Sequence, residues 1–243
     1  MNLTSKLLVA ACLTMGIPAF AGGLYVNNPE NFLCLPCGQF GITLQNQFGA
    51  GNVTTDTNTL GDLSGYSAVV VLARNFAPVL TPTETTNMMN FVNSGGRLMI
   101  LGENSFFFSA WDNSFLSPLG GTLGSDYGPA ATVVPITLLG PGYLTQGLTT
   151  INVAAAGTVG SGGTPLSNPE VLALFGPQNN VLVGMDMSML YGFDTNTDSL
   201  QFYSNVAGWL AGADVAPEPA SVGLTGSVLA GALLFARRRR VRA

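Results

Sequence analysis

The stretch 68–101 constrains the fold more than any other part of the chain. Ala68-Val-Val-Val-Leu72 is a continuous apolar run rich in β-branched residues, the pattern of a strand covered on both faces. Thr81-Pro82-Thr83-Glu84 then carries three helix-start signals: a threonine N-cap, proline at the first helical position and glutamate where it closes a capping box. Met88, Phe91 and Val92 recur at helical spacing, Gly95-Gly96 ends the helix, and Arg97-Leu-Met-Ile-Leu101 is a second buried strand. A strand, helix, strand unit of this kind is almost always a right-handed crossover between parallel strands. The expectation is an α/β domain, a three-layer sandwich with a mostly parallel central sheet. Residues 69–72 and 99–101 should be inner strands, and a helix over residues 82–93 should cover one face.

The remaining elements are read from local pattern. Residues 25–31 are a polar lead-in, Phe32-Leu33 a short strand ending at Cys34-Leu-Pro-Cys37, 39–48 a helix stopped by Gly49-Ala-Gly51, and 53–56 another strand. Asp62-Leu-Ser-Gly65 is a turn. Phe106-Phe-Phe108 and Trp111, beside Asp112 and Asn113, are assigned to the core rather than to a sugar-stacking surface. A short helix is expected over 113–119, ended by Gly120-Gly121. Residues 132–159 read as strands and loops on one side of the sheet, and 154–163 as a loop of small residues. The runs 171–175 and 181–185 make a hairpin at the sheet's edge. A last helix over 199–210 sets Phe202, Val206, Trp209 and Leu210 on one face.

The two ends of the chain concern destination. Residues 1–6 carry one positive charge, 7–17 are apolar, and Ala19-Phe20-Ala21 has the small-x-small form of a signal-peptidase site, so residues 1–21 read as a signal peptide with the mature chain starting at Gly22. At the other end, Val215-Ala-Pro-Glu-Pro-Ala-Ser221 leads into an uncharged run and then Arg237-Arg238-Arg239-Arg240. The seventeen residues 220–236 span roughly 26 Å as a helix, against a hydrocarbon core of about 30 Å. The arginines would hold the end of such a helix in the cytoplasm. Pro217-Glu218-Pro219, an apolar segment and the arginine cluster in this order resemble the PEP-CTERM sorting signal of bacterial envelope proteins. That resemblance covers residues 215–243 and implies an exosortase partner, a transient membrane anchor, and release of the 22–214 body to the cell surface or an extracellular matrix. A permanent C-terminal anchor is the alternative.

Charge and composition bound the chemistry of the body. Between residues 22 and 216, twelve acidic residues face two basic ones, Arg74 and Arg97, leaving ten net negative charges. Phosphate backbones are held by clustered lysine and arginine, so nucleic acid is not an expected partner. Histidine is absent throughout, which excludes histidine-based triads and imidazole metal ligands. Cys34 and Cys37 most simply close a small disulfide loop in an oxidising compartment, with a redox pair or free thiols as alternatives. Asp194-Thr-Asn196-Thr-Asp198 opens like a calcium loop, but Ser199 replaces the glycine and Asn205 the bidentate glutamate. Capping of the last helix by Asp198 explains the same residues without an ion. No metal or cofactor is expected.

Thr-Pro-x-Glu opening the helix, the Gly-Gly turn, the strand ending Gly102-Glu103-Asn104, the Leu144-Thr-Gln-Gly-Leu148 loop and the closing helix together resemble the class I glutamine-amidotransferase-like fold, a flavodoxin-type sandwich. Members of that superfamily place a nucleophilic cysteine after the strand, supported by a distant histidine. Here the matching turn is Gly102-Glu103-Asn104-Ser105, without cysteine, and Ser105 has no base to activate it. The expected function is a non-catalytic surface or matrix protein, with extracellular polysaccharide as a candidate partner. The alternative is a hydrolase or carbohydrate-processing enzyme using Glu103 and Asp112. In open α/β sheets ligands bind beyond the C-terminal strand ends; the candidate crevice residues are Arg74, Asn75, Glu103, Asn104 and Ser105, and Arg74 either attracts an anion or pairs with Glu103.

Overall fold

The computed structural model describes residues 22–30, 33, 35, 38–74, 79–129, 132–140, 142–190 and 197–213. In chain order these form β1 (Gly23–Asn27), α1 (Gln39–Phe48), β2 (Val53–Asp56), β3 (Tyr66–Val71), α2 (Pro82–Asn93), β4 (Arg97–Leu101) and α3 (Ser105–Leu116). Short strands follow: β5 (Thr122–Leu123), β6 (Val133–Leu138), β7 (Thr150–Ala154), β8 (Val159–Ser161), β9 (Thr164–Pro165) and β10 (Ser167–Asn168). The last elements are β11 (Leu172–Phe175), β12 (Val181–Gly184) and α4 (Thr197–Leu210).

A mixed α/β fold results, built on a mostly parallel seven-stranded sheet in the order β2-β1-β3-β4-β12-β11-β9. The first five strands run parallel, and β11 and β9 are antiparallel to their neighbours. Val69, Val70 and Val71 of β3, Leu98 to Leu101 of β4 and Val181 to Val183 of β12 are fully buried, as continuous apolar runs require. β6, β7 and β10 form a separate antiparallel sheet, and β5 pairs with β8.

The helices seat as their apolar spacing dictates. In α2 the capping box is complete: Thr81 Oγ1 accepts from the Glu84 N–H, and the Glu84 carboxylate accepts from the Thr81 N–H. α1 buries Phe40, Leu44 and Phe48, and the Phe40 ring meets Tyr203 of α4 with centroids 5.5 Å apart. Asn205 of α4 donates to the carbonyls of Leu144 and Gln146, tying the 144–148 loop to the closing helix. Arg97 donates to the carbonyls of Trp209 and Ala213 and lies 5.4 Å over the Trp209 ring, pinning the end of α4 to the start of β4.

Several expectations are corrected. The first strand is Gly23–Asn27, which runs into the first three residues of the supposed polar lead-in, and Leu33 lies in no strand. β1 sits between β2 and β3, where Leu24 and Val26 are fully buried, and its burial outweighs its neighbouring asparagines. The helix expected at 113–119 starts at Ser105, because the aromatic run continues its helical stripe through Phe108, Trp111 and Phe115. Phe106 and Phe107, assigned to the core, are 79% and 59% exposed. The hairpin of β11 and β12 is real, but β12 pairs with β4 in the interior and β9 takes the edge. Residues Val159–Ser161, read as loop, form β8. Asp198 lies within the first turn of α4 instead of capping it. Asn205 is spent on the 144–148 loop rather than facing an ion.

No helix among the described residues is long and apolar enough to cross a membrane. The signal segment 1–21, the sorting tail 215–243, Cys34, Cys37, Asn75, Asp194 and Asn196 lie outside the described residues.

Candidate functional site

The C-terminal ends of β3, β4 and β12 bring together buried charges of both signs, in two separate groups. The first surrounds Arg74, three residues past the end of β3 and 4% exposed. Its Nη2 donates to Glu84 Oε1 at 2.6 Å and to Asn27 Oδ1 at 3.1 Å, and its guanidinium lies 5.2 Å over the Trp111 ring. Glu84 also accepts from the N–H of Leu60 and from the N–H and hydroxyl of Thr81, each at 2.9 Å. Burial opposes ionisation of Glu84, but Arg74 and the Thr81 and Leu60 N–H groups outweigh it and hold the carboxyl down at about 2. Arg74 therefore pairs with Glu84, where the sequence suggested Glu103. The capping-box glutamate points inward at the strand end, and Glu103 belongs to the other group.

That second group is acidic throughout. Glu103 is 9% exposed; its Oε1 accepts from the Asn104 N–H and side-chain amide, and its Oε2 from the Met187 N–H at 3.2 Å. Asp112, on α3 and fully buried, accepts from the Glu103 N–H at 3.2 Å through Oδ1. Its Oδ2 has no hydrogen-bond partner among the described residues. Asp186, just past β12 and also fully buried, accepts from the N–H groups of Ala154 and Ser188 and from the Ser188 hydroxyl, all at 2.6 Å. Gly102 makes this approach possible, since a Cβ there would meet Asp112 Oδ1 at 2.5 Å.

Burial, then the nearby Asp186 charge, pushes the Glu103 carboxyl up to about 7. Burial pushes Asp112 up to about 8 and raises Asp186, against the hydrogen bonds that Asp186 receives. With no cation among the described residues in contact to compensate, desolvation wins over hydrogen bonding. Asp126 stands at the margin and accepts from the Ser105 N–H at 2.6 Å, doing for the start of α3 what the Asn104 side chain does not.

Of the crevice residues expected from sequence, Glu103, Asn104 and Ser105 are together and Arg74 stands with the other group. Asp186 was missed. Its signal was there: it follows a β-branched run, and recognising 181–184 as an inner parallel strand would have placed it at a strand end. Among the described residues no group of three or more histidine, cysteine, aspartate or glutamate side chains is arranged to hold a metal ion.

No protein-family model matches the chain, and no curated protein matches it in sequence. In fold it is similar to the mmIFT52 N-terminal domain, at a TM-score of 0.62 and 14% identity over 80% of this chain and 99% of that one. A putative ThuA-like protein from Bacteroides uniformis aligns at a TM-score of 0.47 and 14% identity, over 81% of this chain and 93% of that one. An exo-β-1,4-mannosidase from Opitutaceae bacterium strain TAV5 aligns at 0.48 and 10%, over 87% of this chain and 38% of that one. At such identities the likeness concerns the fold alone.

Proposed function

We propose that this chain is an exported cell-surface or extracellular-matrix protein whose α/β domain binds or scaffolds without catalysis. The observation that carries the non-catalytic part is the direction of Glu103. Its carboxylate is turned into the fold onto Met187 and Asn104, at 9% exposure, where a reacting group would have to reach substrate. The destination rests on the signal-like start, the Pro217-Glu218-Pro219 tail and its arginine cluster, which would be handled by signal peptidase and an exosortase. Strand order 2-1-3-4 with β12 beyond supports a flavodoxin-type three-layer arrangement. Gly22 adjoins the start of β3 through the Ser67 hydroxyl, and Ala213 adjoins the start of β4 through Arg97. Both described ends thus leave from the N-terminal edge of the sheet, and an anchor there would present the strand-end face outward.

A carboxylate-dependent hydrolase is the second reading, favoured by one observation: groups held at about 7 and 8 suit a general acid near neutrality. Mass spectrometry of the exported protein, with a hydrolase panel run on wild type and Glu103→Gln, separates the two. The proposal expects a chain starting near Gly22, ending near Val215, and no hydrolysis dependent on Glu103. A secreted form that keeps Arg237 to Arg240 would sink the sorting part. Turnover lost in Glu103→Gln with the fold intact would establish the enzyme.

A further inference from the structure

A groove of about 500 Å³ opens at the opposite end of the sheet, between the 62–65 turn, the start of β3 and the second half of α2. That volume lies within the ordinary range for small-ligand sites. Asn87 and Asn90 of α2 and its C-cap Ser94 line it, three and four residues apart and so along one stripe of the helix and its end. Asp62 and Ser64 line it from the turn, with the half-buried Tyr66 ring beside them. Gly96 lacks the Cβ that would strike the Phe91 ring at 2.4 Å, which lets the Gly-Gly turn close against that ring in the groove wall.

The hydrogen-bonding capacity left over defines the ligand. Asn87 donates to the Leu60 carbonyl at 3.0 Å and keeps its own amide oxygen, while Asn90 is exposed with its amide uncommitted among the described residues. The Ser64 hydroxyl donates to Asp62 Oδ2 and the Ser94 hydroxyl to the Phe91 carbonyl, so both hydroxyl oxygens still accept. Among the described residues no lysine or arginine lines the groove, and Asp62 would repel an anion, which disfavours phosphates, sulfates and uronates. An extended peptide would seek a free strand edge, and β3 is already paired on both sides by β1 and β4. Neutral polyols fit: their hydroxyls can donate to Asp62 and to the spare oxygens, accept from Asn90, and lay C–H surface on the Tyr66 ring.

We propose that this groove binds a segment of neutral polysaccharide. The inference deepens the binding role proposed above and rests on it only for the setting in which such a polymer is met. The test uses the full-length protein purified in a non-glycosidic detergent and titrated calorimetrically with cellohexaose, maltohexaose and mannohexaose. Polygalacturonate serves as the anionic counterpart and a Gly-Ser peptide as the extended-chain control. At least one neutral hexasaccharide should bind with a dissociation constant of about 1 mM or tighter. Asp62→Ala and Asn90→Ala should each weaken it about tenfold, the scale of one or two hydrogen bonds. Asn90 is exposed and uncommitted among the described residues, so Asn90→Ala should leave the melting temperature unmoved. Asp62→Ala also gives up the Ser64 N–H and hydroxyl that its carboxylate accepts from, so its affinity is read well below its own melting temperature.

Failure of all three sugars to bind would overturn the proposal, as would equal binding of polygalacturonate or of the peptide. Affinity that survives the double variant would also overturn it. If affinity survives there but is lost in Phe106→Ala, the sugar site is at the strand-end face and the groove is wrong, while the binding role stands. The localisation part is decided separately, by the mass of the exported chain.

Discussion

The two buried polar groups lie on one edge of one sheet, yet they answer burial in opposite ways. Around Arg74, a cation, a carboxylate and Asn27 are joined by short hydrogen bonds, and Glu84 stays ionised down to about 2. Around Glu103, three carboxylates share donors from backbone, amide and hydroxyl without a cation among the described residues, and burial pushes Glu103 and Asp112 up to about 7 and 8. Around Glu103 and Asp112 hydrogen bonds do not offset burial, whereas around Glu84 the guanidinium together with the Thr81 and Leu60 N–H groups does. A group whose folded pKa is depressed stabilises above its unfolded value and loses that contribution as pH falls. A group whose folded pKa is raised stabilises below its unfolded value and loses the contribution as pH rises.

The largest test of the comparison removes the cation. Arg74→Ala should cost about 3–5 kcal/mol by urea denaturation, because it leaves Glu84 charged, buried and unpaired. A loss below about 1 kcal/mol would mean that the Thr81 and Leu60 contacts hold Glu84 by themselves. Next comes pH. Unfolding free energy should be greatest at about pH 4–5 and fall by about 2 kcal/mol or more towards pH 9 as Glu103 and Asp112 are forced to ionise. It should fall again below about pH 4 as Glu84 takes up its proton. A flat profile from pH 5 to pH 9 would remove the distinction between the groups.

Asp112→Asn sharpens the assignment. The amide imitates the protonated acid, keeps an acceptor for the Glu103 N–H, and should add about 4 kcal/mol more at pH 9 than at pH 5, since a carboxyl held at about 8 accumulates about 1.4 kcal/mol per unit across that range. Equal effects at both values would show that Asp112 does not titrate in that range. The smallest expected effect is at Phe106, 79% exposed at the start of α3. Phe106→Ser should shift stability by less than about 0.5 kcal/mol, and a larger loss would show a ring packed in solution.

The legible parts of the chain were those in which one physical signal spoke alone. The β-branched runs of β3 and β4, the complete N-terminal signature of α2 and the apolar stripe of α4 each have a local cause, and each formed where its pattern said. The site was legible only in part. Glu103, Asn104 and Ser105 follow from the end of β4, but the partner of Arg74 does not. Glu84 was already explained by its capping box, and its second oxygen turns to the guanidinium only because α2 starts beside the end of β3.

What the sequence determined by itself is the kind of fold, a parallel α/β sheet carried by buried runs, and a body short of cations and without histidine. What the tertiary structure decided is which charges meet. Asp186 is remote in sequence and carries no motif; it reaches the Glu103 segment because β12 pairs beside β4, while Asp112, only nine residues on from Glu103, is turned onto its N–H because α3 packs against Gly102. Their raised pKa values follow from that meeting, since desolvation depends on what surrounds a carboxyl in space and not on its neighbours along the chain.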